Sequence, residues 1–295
     1  QGSSITIAGS SVSGSSDVLT LDLKSATSTT NVTVASGTFA GFETINVNAS
    51  TGTSGTDSSV VFGSATSTTA INVTGTADFA ATLTSSSSKG VALTSTSTGA
   101  ITVTGNTSKG STITTGSGAD IITAGSGVDT IKGSGGADTF IFGSVTNATG
   151  DSLTDWASTT DKIRLTLDYS STVSGVGVNT TRTSAGVAGL AAAEATLSGV
   201  RGQFVYDTTN SNLLVDVTGD GEISNADYKI SLKDAATASA TVVQADLQFV
   251  VTGGTGNDTI TTGTGVDSID AGTGADTIDP GADALIDTIS YAAGD

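Results

Sequence analysis

Six aspartates recur at a step of nine residues in two separate blocks, Asp120, Asp129 and Asp138, then Asp258, Asp267 and Asp276. Each stands sixth in a unit with a glycine-rich first half and an apolar residue at the eighth place. The first block reads TGSGADIIT (115–123), AGSGVDTIK (124–132) and GSGGADTFI (133–141). The second reads GGTGNDTIT (253–261), TGTGVDSID (262–270) and AGTGADTID (271–279), and a looser copy around Asp287 follows an insertion with the only proline, Pro280. Glycine permits positive φ and close backbone approach, so six residues can turn tightly. The last three form a short strand whose one apolar side chain points inward. A single unit cannot bury that side chain; stacked units make a continuous core. With two units per coil, Asp120 and Asp138 share one edge opposite Asp129, and Asp258 and Asp276 share one edge opposite Asp267. Stacked strands lie about 4.8 Å apart. Two carboxylates at that spacing repel by roughly 3 kcal/mol at an effective dielectric of about 20. A cation between the loops removes the penalty. The ligands on offer are carboxylate and carbonyl oxygens, which suit Ca²⁺ better than Mg²⁺ or a transition metal.

Composition narrows the remaining chemistry. The 295 residues include 39 Gly, no His, no Cys and no Met, and the formal net charge is -18. A Ser-His-Asp triad, a thiol nucleophile, a His/Cys zinc site and a disulfide framework are therefore excluded. The acidic balance disfavours nucleic acid and anionic membranes as partners, and no apolar run is long enough to span a bilayer. Glu occurs only at Glu43, Glu194 and Glu222. The remaining acids are Asp, a residue of turns and hard-cation loops. The start of the chain has no basic region followed by an apolar stretch and no initiator Met, so it reads as a fragment or processed product. No enzymatic activity is expected, because the acids are committed to repeat turns.

The elements that must position these aspartates are short strands. Residues 1–110 hold alternating runs at Ile5–Ile7, Leu19–Leu23, Val32–Val34, Ile45–Val47, Ile71–Val73, Ala81–Leu83, Val91–Leu93 and Ile101–Val103. Period-two alternation makes each a half-buried strand, and a spacing near ten residues suits either a sandwich or a stacked solenoid; the short Thr-rich strands and loose Ser/Gly turns favour a Thr/Ser-rich parallel β-solenoid. The fold expected is mainly β: this solenoid over 1–110, a first calcium-binding stack of nine-residue units with the segment that follows it over 111–165, a small α+β insert over 166–252 and a second stack over 253–295. Within the insert, Val187–Leu197 has the best helix propensity of the chain. Strands are expected at Lys162–Leu167, Gln203–Tyr206, Leu213–Asp216 and Tyr228–Leu232.

The nine-residue units resemble the RTX (repeats-in-toxin) pattern GGxGxDxUx, in phase and without gaps over about 27 residues in each block. The resemblance implies a parallel β-roll that binds several Ca²⁺ ions in its turns and is exported by type I machinery. It implies as ligands the six repeat aspartates, Asp287 of the looser copy, and the carbonyls of turn glycines Gly118, Gly127, Gly136, Gly256, Gly265 and Gly274. The stretch 150–156 with 161–163 is similar to the sequence that closes such rolls, which implies a last ion at Asp151 and Asp155. The unit 106–114 departs from the pattern, with Ser111 where Asp is expected.

A second loop, Asp216 to Asp227, resembles the twelve-residue loop of EF-hand and dockerin proteins. Oxygen-bearing Asp216, Thr218, Asp220, Glu222, Ser224 and Asp227 fall at ligand positions, with Gly221 at six and Ile223 at eight. Its flanks alternate like strands, so a strand–loop–strand setting is expected. The run FAGFETINV (39–47), with the Thr-rich strands and missing Cys, is similar to bacterial RTX-type surface-layer proteins. That resemblance implies a secreted structural protein that self-assembles on the cell surface in Ca²⁺, with itself and cell-surface polysaccharide as candidate partners. An RTX adhesin, or the calcium-folded tail of a secreted enzyme or toxin, is the alternative.

Overall fold

Alternating apolar and hydroxyl residues leave each short strand with one face that must be buried, and the chain solves this by coiling. A computed structural model describes residues 16–23, 33–34, 39, 41–49, 58–62, 67–83, 90–172, 175–181, 186–234 and 242–291. The expected strand Ile5–Ile7 lies outside the described residues. The chain divides into two compact units, Gln1–Phe140 with Asp151–Asp155, and Ile141–Gly150 with Trp156–Asp295.

The first unit carries β1 (Val18–Leu23), β2 (Thr33–Val34), β3 (Thr44–Ala49), β4 (Ser58–Val61), β5 (Ala70–Gly75), β6 (Phe79–Thr82) and β7 (Ala92–Ser95). It continues with β8 (Ile101–Thr104), β9 (Thr112–Thr114), β10 (Ile121–Thr123), β11 (Thr130–Lys132), β12 (Thr139–Phe142) and β13 (Ser152–Trp156), taking residues 139–140 of β12 and 152–155 of β13. Odd-numbered strands stack in one sheet and even-numbered strands in the other. Two strands therefore make one coil, as the repeat spacing predicts. The pairing is parallel and in register. Ile45, Ile71, Leu93, Ile113, Ile131 and Leu153 form one inward column, and each is at most 1% exposed. Burying such a side chain contributes about 1.5–3 kcal/mol. Coil length falls along the chain, from 26 residues between the Asp17 and Glu43 positions to 18 between Ser111 and Asp129. The shortest coils are those with glycine-rich turns. Pairing runs without a break from β7 and β8 into β9 and β10.

The second unit carries β14 (Lys162–Asp168), β15 (Gly177–Asn179), α1 (Leu190–Glu194), β16 (Gln203–Asp207), β17 (Asn212–Asp216), β18 (Tyr228–Asp234), β19 (Leu247–Thr252), β20 (Thr259–Thr261), β21 (Ser268–Asp270), β22 (Thr277–Asp279) and β23 (Thr288–Ser290). Strands β14, β19, β21 and β23 stack in parallel, as do β15, β20 and β22. β15 and β19, which fall inside the segment read as an insert, thus pair with roll strands. Strands β16 to β18 form an antiparallel meander. The helix expected over Val187–Leu197 is shorter, spanning only Leu190–Glu194. Gly189 at φ 89° precedes it and the chain leaves at Ala195 towards Ser198 and Gly199. Its Ala193 packs on Val205 and Leu214, with Leu190, Leu197 and Ile223 around them. That cover explains why β16 and β17 are buried on both faces. No helix among the described residues is long and apolar enough to cross a membrane.

Candidate calcium sites in the coil turns

Each repeat aspartate stands immediately before its strand, where the turn ends. Its side chain reaches back to the coil before it. Asp120 Oδ1 accepts the Ile101 amide at 2.7 Å, and Asp138 Oδ1 accepts the Asp120 amide at 2.9 Å. On the opposite edge Asp129 Oδ1 accepts the Ser111 amide at 2.5 Å, and Asp151 Oδ1 accepts the Asp129 amide at 2.6 Å. The second block repeats the arrangement. Asp258 takes the Val176 amide (2.6 Å), Asp276 the Asp258 amide (2.8 Å), Asp267 the Phe249 amide (2.7 Å) and Asp287 the Asp267 amide (2.9 Å). The structure therefore brings together Asp120 with Asp138, Asp129 with Asp151, Asp258 with Asp276 and Asp267 with Asp287, on the edges the two-units-per-coil reading assigns.

The other carboxylate oxygen divides these residues. Asp129 Oδ2 accepts the Gly125 amide (3.0 Å) and Asp258 Oδ2 the Gly254 amide (2.7 Å), closing their own turns. The Oδ2 atoms of Asp120, Asp151, Asp267 and Asp276 are buried with no hydrogen-bond partner. Thr115 and the Gly116 amide lie close enough to Asp120, and Thr262 to Asp267, to favour the charged form, without meeting hydrogen-bond geometry at Oδ2. Burial is the largest influence on these groups. It raises the carboxyls of Asp120 and Asp129 above the usual range, Asp151 to about 7 and Asp267 to about 6. Repulsion from Asp129 on Asp151, and from Asp287 and Asp283 on Asp267, adds less. Repulsion between stacked acids, the cost expected from their spacing in the sequence, is thus outweighed by the loss of hydration.

A half-satisfied buried carboxylate is costly unless it is neutralised or meets a cation. The orphaned oxygens thus fit a divalent ion. Among the described residues no three acidic side chains gather at one point, so carbonyl oxygens must complete any ligand shell. The turn glycines allow that approach. At Gly136 (φ 130°) and Gly274 (φ 144°) a β-carbon would overlap the carbonyl oxygens of Gly118 and Gly256 one coil earlier. Gly127 and Gly265 occupy the corresponding turns of the other edge.

Asp155 uses both oxygens on the adjacent turn of the preceding coil, accepting the amides of Gly133 (3.0 Å) and Ser134 (2.7 Å). The loop between β17 and β18 has the expected strand–loop–strand setting. Asp216 is fully buried and accepts the amides of Gly219 (2.6 Å) and Gly221 (2.9 Å) and the Thr218 hydroxyl (3.2 Å). Asp227 accepts the amides of Val217 (2.8 Å), Thr218 (3.0 Å) and Ser224 (2.9 Å) and the Ser224 hydroxyl (2.8 Å). Asp216, Thr218, Ser224 and Asp227 are thus drawn together. Asp220 and Glu222 face solvent. No carboxylate oxygen in this loop is among the buried, partnerless atoms.

Three acids important to the turns carried no motif. Asp246, fully buried, accepts from Ser158 Oγ (2.6 Å), the Thr159 amide (2.8 Å) and the Val243 amide (3.0 Å), with Lys162 Nζ at 3.8 Å. Asp207 gathers Gly189, Thr209 and Asn210. Asp283, in the insertion, accepts the Gly265 amide at 2.8 Å. Only Asp207, followed by Thr-Thr-Asn, stood in a recognisable turn sequence.

In-register coils with a carboxylate at each turn define a parallel β-roll of the calcium-binding class. The family described as the RTX calcium-binding nonapeptide repeat (4 copies) matches residues 112–145 and 251–284. The chain carries RTX repeats in both blocks, and these repeats bind several Ca²⁺ ions per region. RTX repeats are typical of secreted proteins. A search of curated proteins finds no match to the chain.

Proposed function

We propose that this chain is a structural, calcium-dependent cell-surface protein of the surface-layer kind, which folds and self-assembles into a lattice on meeting Ca²⁺ outside the cell. The observation that carries the reading is the set of buried carboxylates with one oxygen tied to the neighbouring coil and one without a partner, at the turns of both blocks. Such turns are strained by their own charge until a cation arrives. Ion binding then becomes folding free energy. The repeat aspartates, Asp151, Asp287 and the turn carbonyls are assigned to the ions, as are the gathered oxygens of the 216–227 loop. The acids are engaged in turns, which supports a structural role with no catalysis. The outward strand residues of the first unit are mainly Thr, Ser and Asn, a surface suited to contact with another copy.

A specific observation favours an adhesin as the second reading. The β16–β18 meander with α1 breaks the coil pattern and offers a separate surface for cell-surface polysaccharide. Titration of Ca²⁺ from chelator upward, read by circular dichroism and electron microscopy, separates the two. Gain of β-signal together with sheets or large particles is the expected result. A β-signal gained by a chain that stays monomeric overturns the lattice and leaves the adhesin.

A further inference from the structure

The coil before the first roll pairs with it in register, yet its turns close with neutral groups where the roll uses aspartates. One turn, 96–100, joins β7 to β8, and the other, 105–111, joins β8 to β9. In the first, Ser97 donates its amide to Ser95 Oγ (3.0 Å), and Ser97 Oγ accepts the Gly99 amide (3.1 Å). The half-buried Asp78 of the coil before accepts the Ala100 amide (2.9 Å). In the second, Asn106 Oδ1 accepts the amides of Ser108 (2.7 Å) and Lys109 (3.3 Å), and Ser111 Oγ accepts the Asn106 amide (3.4 Å). Ser95, Ser97, Asn106 and Ser111 are all buried. None of their side-chain oxygens, nor those of Asp78, is among the buried, partnerless atoms. A neutral group loses far less on burial than a carboxylate, so these turns close without an ion. Ser111, standing where the repeat pattern expects Asp, keeps the second turn neutral.

The first roll coil lies directly on these turns. Ser117 and Ser126 donate their amides to the carbonyls of Ser97 (3.2 Å) and Asn106 (2.8 Å), and Thr130 donates to that of Ser111 (2.9 Å). A β-carbon at Gly105 would run into the Gly125 amide nitrogen, and one at Gly110 into the Val128 carbonyl, so backbone meets backbone there. In the next coil the amides of Gly135, Thr139 and Ser152 rest instead on the carbonyls of Gly116, Asp120 and Asp129, in the turns that carry the buried acids.

We propose that this ion-independent coil, residues 91–114, is the template on which the first calcium block assembles, coil by coil from residue 115 onward. The proposal rests on the calcium-dependent folding proposed above. Stacked repeats draw much of their stability from a neighbour that is already formed. A lone coil of 115–132 would have to close its turns with no acceptors beneath it. On 91–114 it finds those carbonyls in place. Calcium then extends an existing stack, and the block folds from its N-terminal end.

The test is hydrogen exchange of the full chain, read amide by amide while Ca²⁺ is titrated from chelator upward. In chelator the amides of Ala92, Thr96 and Thr112, bonded to Thr69, Val73 and Val91, should stay protected, as should those of Ser97 and Gly99. Protection should reach Ser117, Ser126 and Thr130 at lower Ca²⁺ than Gly135, Thr139 and Ser152. The reverse order, or exposure of the 92–112 set together with the roll in chelator, overturns the template and leaves calcium-dependent folding intact. Equal protection of every set in chelator removes calcium-dependent folding itself and the template with it. Asn106→Ala takes the acceptor from two buried amides. It should raise the Ca²⁺ midpoint of Ser126 and Thr130 several-fold and leave Thr259 and Thr277 of the second block unchanged; a shift of both blocks alike, or of neither, overturns the template. Ser111→Asp decides the matter if Asn106→Ala fails to fold. It restores the repeat residue and with it a buried charge, so Thr112 should lose protection in chelator and regain it in Ca²⁺. Thr112 still protected in chelator overturns the proposal.

Discussion

An aspartate in these turns has two jobs, one per oxygen. Oδ1 holds an amide of the preceding coil; Oδ2 is left for an ion or a proton at Asp120, Asp151, Asp267 and Asp276, and closes its own turn at Asp129 and Asp258. Asparagine keeps an acceptor for the amide and abolishes the charge. Replacing Asp120 and Asp138 together with Asn should therefore weaken calcium-dependent folding of the first roll by about 1.4 kcal/mol for each ion lost at tenfold excess. The calcium midpoint from circular dichroism reads this; an unchanged midpoint would sink the ligand assignment. Protons compete for the same oxygens. Burial lifts Asp151 to about 7 and Asp267 to about 6, above their values in the unfolded chain. Their stabilising contribution in the calcium-free protein is then complete below about pH 4 and lost as pH rises through the folded values. In chelator the melting temperature should rise on going from about pH 8 to about pH 5. In Ca²⁺ the slope should invert, because protons then displace the ion.

At the scale of the element, the nine-residue unit is the feature the sequence states most openly. Its glycines, its aspartate and its single apolar residue all fall where the strand and turn require them. Ile131 is fully buried in the inward column, so Ile131→Ala should cost about 2–5 kcal/mol in thermal unfolding of the calcium-bound protein. The short helix was less legible. Propensity favours 187–197, but Gly189 and the Ser198-Gly199 pair cut it to one and a half turns. Asp246 was not legible at all, because its donors, Ser158 and Thr159, lie far away in sequence. The 216–227 loop has the strand–loop–strand setting that its alternating flanks predict, yet its hydrogen bonding differs from that of the rolls. Asp216 and Asp227 are satisfied by the loop itself. Hydrogen exchange in chelator should leave the amides of Val217, Thr218, Gly219 and Gly221 protected after those of Ile101, Ser111 and Asp129 have become exposed. Simultaneous loss of all seven would place the loop under the control of the ions.

For the whole molecule, the proposed function joins stability to calcium concentration. Extracellular calcium modules bind at about 10⁻⁴–10⁻³ M; on the proposed reading, a chain with several such sites should be poorly folded where calcium is scarce and folded where it is plentiful. The two-strand coil also imposes an arithmetic on the protein's length. Every nine-residue unit moves the chain from one sheet to the other, so only even numbers of units conserve the placement of the strands downstream. Removing residues 115–132 should let 133–141 settle where β10 was, with β12 and β13 still on their own sheets and Asp151 and Asp155 on their own edges. Removing 124–132 alone is the smaller excision and should be the more damaging. It sends β12 and β13 to the wrong wall and reverses the parity of the turns, which circular dichroism in Ca²⁺ would register as a loss of β-signal. Growth or shrinkage of such a protein is thus permitted in steps of eighteen and resisted in steps of nine.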